Sequence, residues 1–376
     1  MISNSFGCKS LVVLQGVWRF ALWFCLLLSS CRRAGEAGGA ADDAARMQVR
    51  SMQTGQVLAP PALIAGEVVA GTADGRVFCM RGEGSYCKLS DCAMTSAVRC
   101  FGERFYVGDD DGVLHCYDAK GEILWRFKTD GKITGAVVAW RDLIIVGSYD
   151  QVLYALTAAD GGLRWRCETK GFIHGSAAID DEQGWIFLGN CDGVLRKISA
   201  TDGSVLAEID LESPIPASVV YADGRCYLLT HQGDLLCVDG ATMGILWRSA
   251  TGDAATSSPL LLKDVVLTCS SAGEVAVFDR ENGTLLKRLS AELWLAPLAV
   301  FSADIACGLS KRGMLYLFPA ARGYAPLPLK DCQCDVENAP VADAGVIAFA
   351  DDLGGVWRLE LPPAFVSAVL AGAGAL

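Results

Sequence analysis

The sequence predicts an all-β fold: an eight-bladed β-propeller of four-stranded blades, its ring closed by an N-terminal strand. Three observations carry this. A turn-then-strand unit recurs eight times between residues 46 and 361, at intervals of 37 to 42 residues. Each copy reads as four short strands, too small to bury both faces alone, so the copies must pack on one another. The eighth copy stops after three strands, while a segment resembling a fourth strand stands unclaimed at the front.

In chain order, residues 1–30 come first. Lys9 and Arg19 supply positive charge, and the uninterrupted apolar stretch 20–28 is the length of a signal-peptide core and too short to span a bilayer. It runs into Leu28-Ser29-Ser30-Cys31, which resembles a bacterial lipobox. The expectation is a cleaved lipoprotein signal over residues 1–30 with lipid on Cys31. A plain secretory signal, or an uncleaved anchor reaching back to Leu11, is the alternative. Residues 31–45 are small and charged without apolar periodicity, which predicts a flexible tether.

The propeller follows over residues 46–361. Its repeated turns carry Gly75, Gly112, Gly193, Gly233, Gly273, Gly313 and Gly354, with Gln151 at that step in the third copy. Asp-Gly at such a place suggests a type I′ hairpin turn. The third copy divides into strands at 136–140, 143–147, 152–157 and 163–168. Its last strand bears Trp165, equivalent to Trp125 and Trp247, with Leu206 and Leu286 expected in that slot elsewhere. Prolines 60, 259, 297 and 340 open first strands, where a missing N–H is tolerated. Residues 47–55 imitate the fourth strand 163–171 and are expected to complete the eighth blade. The small, apolar tail 362–376 either packs on the propeller or frays.

The phrase Tyr154-Ala-Leu-Thr-Ala-Ala-Asp-Gly-Gly-Leu-Arg-Trp165 resembles the quinoprotein-type (PQQ-like) propeller repeat. Eight such blades behind a lipobox and short tether resemble the BamB-like outer-membrane assembly lipoproteins. That resemblance implies a non-catalytic, lipid-anchored scaffold on the periplasmic face of the outer membrane. It would bind a barrel-assembly subunit through loops on one propeller face. The comparable contact stretch is Ile209-Asp-Leu-Glu-Ser-Pro-Ile-Pro216, which keeps Glu212-Ser213 but lacks the family's Leu-x-Leu-Arg-Gly. Leu211, Glu212, Ser213 and Ile215 are therefore the candidate contact residues, with Ile215 alternatively only starting the next blade.

Composition limits other functions. Acidic residues exceed basic ones 43 to 32, for a net charge of −11, which argues against nucleic-acid binding. No nucleophile–base pairing, metal cluster or adjacent cysteine pair stands out, so no enzyme, cofactor or metal is expected and the propeller reads as a monomer. A binder of another envelope component and a quinoprotein dehydrogenase relative are the competing functions. Asp109-Asp110-Asp111-Gly112 reads as a charged turn rather than a calcium loop, lacking the alternating spacing of one. His115, His174 and His231 read as solvated or turn histidines. Of the 13 cysteines beyond Cys31, those at 79, 116 and 237 occupy an inner slot held by Ala155. A Cys87–Cys92 bridge is the one short-range pairing entertained.

Overall fold

The computed structural model describes residues 47–372, apart from 81–83, 253, 255–256, 271–272, 291–297 and 337. The segments expected to be a signal and a tether, Cys31, Pro297 and residues 373–376 lie outside the described residues. Eight antiparallel four-stranded sheets form the eight blades. Blade three shows the pattern. Val138–Trp140 is innermost, followed by Leu143–Gly147, Val152–Thr157 and the outer strand Leu163–Glu168. The two middle strands are almost wholly buried and rich in Leu, Ile, Val and Tyr, whereas the outer strand alternates buried and exposed residues. That difference follows from position: middle strands meet neighbouring blades on both faces, and outer strands meet solvent.

The core is divided among the seams. Each of eight apolar clusters joins two neighbouring blades. Leu153 and Trp165 of blade three pack with Ile186 and Leu188 of blade four. Val68 and Phe78 of blade one pack with Ala348 and Val356 of blade eight. In that last blade, Gln48–Gln53 lies antiparallel to Gly355–Glu360 in continuous register from Gln48 opposite Glu360 to Gln53 opposite Gly355. The sheet order places this N-terminal strand outermost.

Tryptophans tie successive blades together. Trp125 and Trp165 are 8% exposed, and their indole N–H groups donate to the carbonyls of Ala158 and Ala200 in the next blade. A Cβ on Gly203 would lie 2.5 Å from the Trp165 ring, so this turn has room only for glycine. Leu206 and Leu286 do not occupy the tryptophan slot. The register pairs Cys116, Ala155 and Cys237 with Trp125, Trp165 and Trp247, but pairs Lys197 with Ala207 and Val277 with Lys287. The same β-bulge recurs in the outer strands of all five blades, and Leu206 and Leu286 stand at the bulged step held by Arg164 in blade three, one residue before the slot. That step leaves Leu206 and Leu286 half exposed.

The repeated turns also differ from the expected type. All seven repeat glycines have positive φ, from 78° to 85°, but among the described residues the one before each does not. Gly112 N–H donates to Asp109 O and Asp109 N–H donates to Val113 O, which makes a three-residue loop ending in a left-handed glycine. A type I′ turn would need two successive positive φ values. The tail is partly settled: α1 (Pro363–Leu370) begins with proline in its first turn and buries Val369 against blades seven and eight, with Phe365 and Val366 packed beside it.

Candidate partner-binding face

One face of the ring is tiled by hairpin turns and inter-blade connectors that bond alternately to each other. Leu211 N–H donates to Gly193 O, Ile215 N–H to Asn190 O, and His231 N–H to Pro214 O. The connector 210–216 is thus pinned to turns of blades four and five. Asp210 accepts the Glu212 N–H at 2.9 Å, and Glu212 takes a left-handed φ of 56°. The side chains then separate sharply. Leu211 and Ile215 are buried at the seam of blades four and five, and Ser213 is buried with its Oγ accepting Gln232 N–H. Asp210, Glu212 and Pro214 face solvent strongly. Of the four candidate contact residues, only Glu212 presents its side chain, because the connector folds its apolar positions inward.

The same face carries a group that sequence reasoning missed. Phe172, on the connector between blades three and four, is 50% exposed and stacks on Tyr149 with centroids 5.3 Å apart and planes 14° apart. The Lys132 ammonium sits 4.6 Å from the centre of the Tyr149 ring, and the Tyr149 hydroxyl meets Nδ1 of the exposed His174. Desolvation, followed by the charge of Lys132, holds His174 below its ordinary pKa. An exposed Phe172 ring stacked on a half-buried tyrosine that is braced by a cation and an imidazole is a rigid anchor suited to a protein partner. An aromatic residue in a connector slot, where the next connector has Pro214, was the available sequence signal.

The remaining polar candidates are structural. His115 is buried rather than solvated: its Nε2 lies 2.8 Å from Oδ2 of the equally buried Asp109, and Arg126 Nε–H donates to its Nδ1 at 3.3 Å. The other Asp109 oxygen accepts Val113 N–H at 2.7 Å. Asp109 therefore closes its own turn. His231 is exposed on its turn. Cys87 and Cys92 are not bridged. Cys87 Sγ donates to Gly121 O and Cys92 Sγ to Asp111 Oδ2, both at 2.9 Å. Cys116 and Cys237 are buried thiols in the inner slot. Among the described residues, no group of three or more His, Cys, Asp or Glu is placed to hold a metal ion.

Comparison with known proteins settles the family. The profile described as Outer membrane protein assembly factor BamB matches residues 51–183 and 191–308, well over half the chain. The chain belongs to the BamB family. Proteins of that name from Moranella endobia and Yersinia pestis are 21% and 23% identical over 53% and 50% of this chain. These alignments span about half the length of each relative, 55% and 54%. The Bordetella pertussis protein is 24% identical over 73% of this chain and 76% of its own. In fold, the chain is similar to the crystal structure of BamB from Moraxella catarrhalis, with a TM-score of 0.72 at 18% identity, covering 84% of this chain and 99% of that one. It is also similar to the computationally designed Ika8 protein, with a TM-score of 0.70 at 16% identity.

Proposed function

We propose that this chain is a non-catalytic, lipid-anchored scaffold that holds a protein partner during outer-membrane β-barrel assembly, in the cell envelope. The observation carrying this reading is the exposed Phe172–Tyr149 stack on the connector face of a protein whose family is named for assembly. The ring supplies the scaffold: its strands are consumed by packing, so recognition falls to the loops. Glu212 and Pro214 extend the same connector face toward blade five.

The anchor rests on Cys31 and the apolar run before it, with the tether 31–45 giving the body its reach. At an extended limit of ~3.5 Å per residue, fifteen residues span on the order of 50 Å. The body is acidic, so acyl chains rather than charge would hold it at an anionic surface. Metabolic labelling with a fatty acid is expected to mark the wild type and not Cys31→Ala. Equal labelling of both would remove the anchor.

The partner claim is tested by affinity capture from detergent-solubilised envelopes. Wild type is expected to recover the barrel-forming subunit. Phe172→Glu is expected to reduce recovery by about tenfold or more without lowering Tm, the loss typical of a central aromatic contact. Undiminished recovery would place the interface elsewhere on the ring, and recovery of an unrelated envelope complex instead would replace the assembly reading with that of another binder.

A further inference from the structure

The inner strands surround an axial channel that holds two cavities. A cavity of about 580 Å³ is lined by inner-strand residues of blades one, two, seven and eight, including Arg99 and Asp343. A second, of about 280 Å³, is lined by residues of blades one to six and eight, and Arg99 lines this one also. Its other polar lining comes from Thr134, His174, Ser257 and the three serines Ser176, Ser218 and Ser258. In a chain with 43 acidic residues, no carboxylate lines this second cavity among the described residues. Asp343 lines the first without forming an ion pair with Arg99.

The three serines form a ladder. Ser176 Oγ accepts Ala136 N–H at 2.9 Å, Ser218 Oγ accepts Ser176 N–H at 2.9 Å, and Ser258 Oγ accepts Ser218 N–H at 3.1 Å. Each oxygen is thereby fixed to the preceding blade. Among the described residues nothing takes the hydroxyl protons, which leaves three donors at the cavity wall. Arg99 opens to the channel, yet desolvation by the surrounding wall lowers its pKa, with no charged group acting to raise it. An exposed guanidinium that lines both cavities and has no carboxylate paired to it among the described residues is stabilised by any anion that reaches it.

We infer that the channel is a binding site for a compact anionic solute carrying a carboxylate or phosphate group, held by Arg99 and the hydroxyls of Ser176, Ser218 and Ser258. The backbone around the ladder is too close for larger residues. A Cβ on Gly135 would lie 2.6 Å from Gly175 O, and one on Gly175 would lie 2.6 Å from the Ala217 carbonyl carbon. These close approaches keep the channel wall narrow and polar.

Calorimetric titration of the full chain in detergent with citrate and with inorganic phosphate, at fixed ionic strength, tests the site. At least one probe is expected to bind saturably at one site per chain, and the stronger of the two identifies the group. Arg99→Gln is expected to weaken binding by about tenfold or more, the scale of a lost charge-assisted contact. Ser218→Ala, which keeps the guanidinium, is expected to weaken it less. Where Arg99→Gln fails to fold, phenylglyoxal modification of the wild type gives the same answer: the bound anion is expected to slow modification of Arg99. Saturable binding by neither probe, unchanged affinity in Arg99→Gln, or modification of Arg99 at an undiminished rate would overturn the proposal.

Discussion

Gly112 and Gln151 stand at the same step of the same turn in neighbouring blades, with φ of 85° and 73°. Glycine bears that backbone without strain, whereas glutamine does so at a cost. At Gly112 there is also no space, because a Cβ would fall 2.1 Å from Gly131 O. Gly112→Ala is therefore expected to destabilise the protein by about 2–4 kcal/mol, combining strain with a backbone clash. Gln151→Gly should shift stability by no more than about 1 kcal/mol. Denaturant unfolding of the two variants checks both. Leu211 and Glu212 separate in the same manner. Leu211→Ala should cost about 2–4 kcal/mol by opening a cavity at the seam, while Glu212→Lys should leave the unfolding midpoint in place. Asp109 adds a pH dependence. Burial alone would raise its pKa, but the bonds from His115 and Val113 N–H outweigh that and hold it below the ordinary value. Its contribution is then present above the unfolded pKa of about 4 and lost as pH falls through the lower folded value. Acid unfolding of Asp109→Asn should show a shallower loss of stability below about pH 4 than wild type; an identical slope would remove Asp109 from that role.

The legible and the illegible parts of the fold divide at the level of the element. Middle strands were readable because burial on both faces demands a run of apolar residues between turn signals, as in Leu143–Gly147. Repeat glycines were readable because a left-handed φ selects a residue type. The tryptophan slot was not: every one of these outer strands carries a bulged residue just before it, so Leu206 and Leu286 match the bulged Arg164, while Ala207 and Lys287 match Trp165. The inward turn of Leu211 and Ile215 was equally hidden, since it depends on bonds from their own N–H groups to blade four. The Phe172 stack and the Arg99 channel are the harder cases, because they join residues from different blades and exist only once the ring is assembled. The strand Gln48–Gln53 supplies the prediction at this scale. Deleting residues 47–55 strips the pairing from Gly355–Glu360 and removes Met52 from the seam of blades eight and one. An exposed edge invites aggregation, so the deletion is expected to lower Tm markedly or to precipitate. A deletion variant as stable as its parent would show that this strand is dispensable to the ring.

Over the whole molecule, the core is shared among eight seams, so no blade stands alone and the faces are free to specialise. One face pins its connectors to hairpin turns and exposes Phe172, Glu212 and Pro214, with Tyr149 half-buried beneath Phe172. The other carries the turns beneath which the tryptophans dock. A scaffold that binds through one rim requires this asymmetry, and site-specific photo-crosslinking probes it. A photoreactive residue is placed at Phe172 on the connector face, and another at the exposed Asp160 on the opposite face, in cells assembling outer-membrane barrels. An adduct with the barrel-forming subunit is expected from position 172 and none from position 160. Adducts of equal yield from both positions, or none from position 172, would contradict binding through that rim.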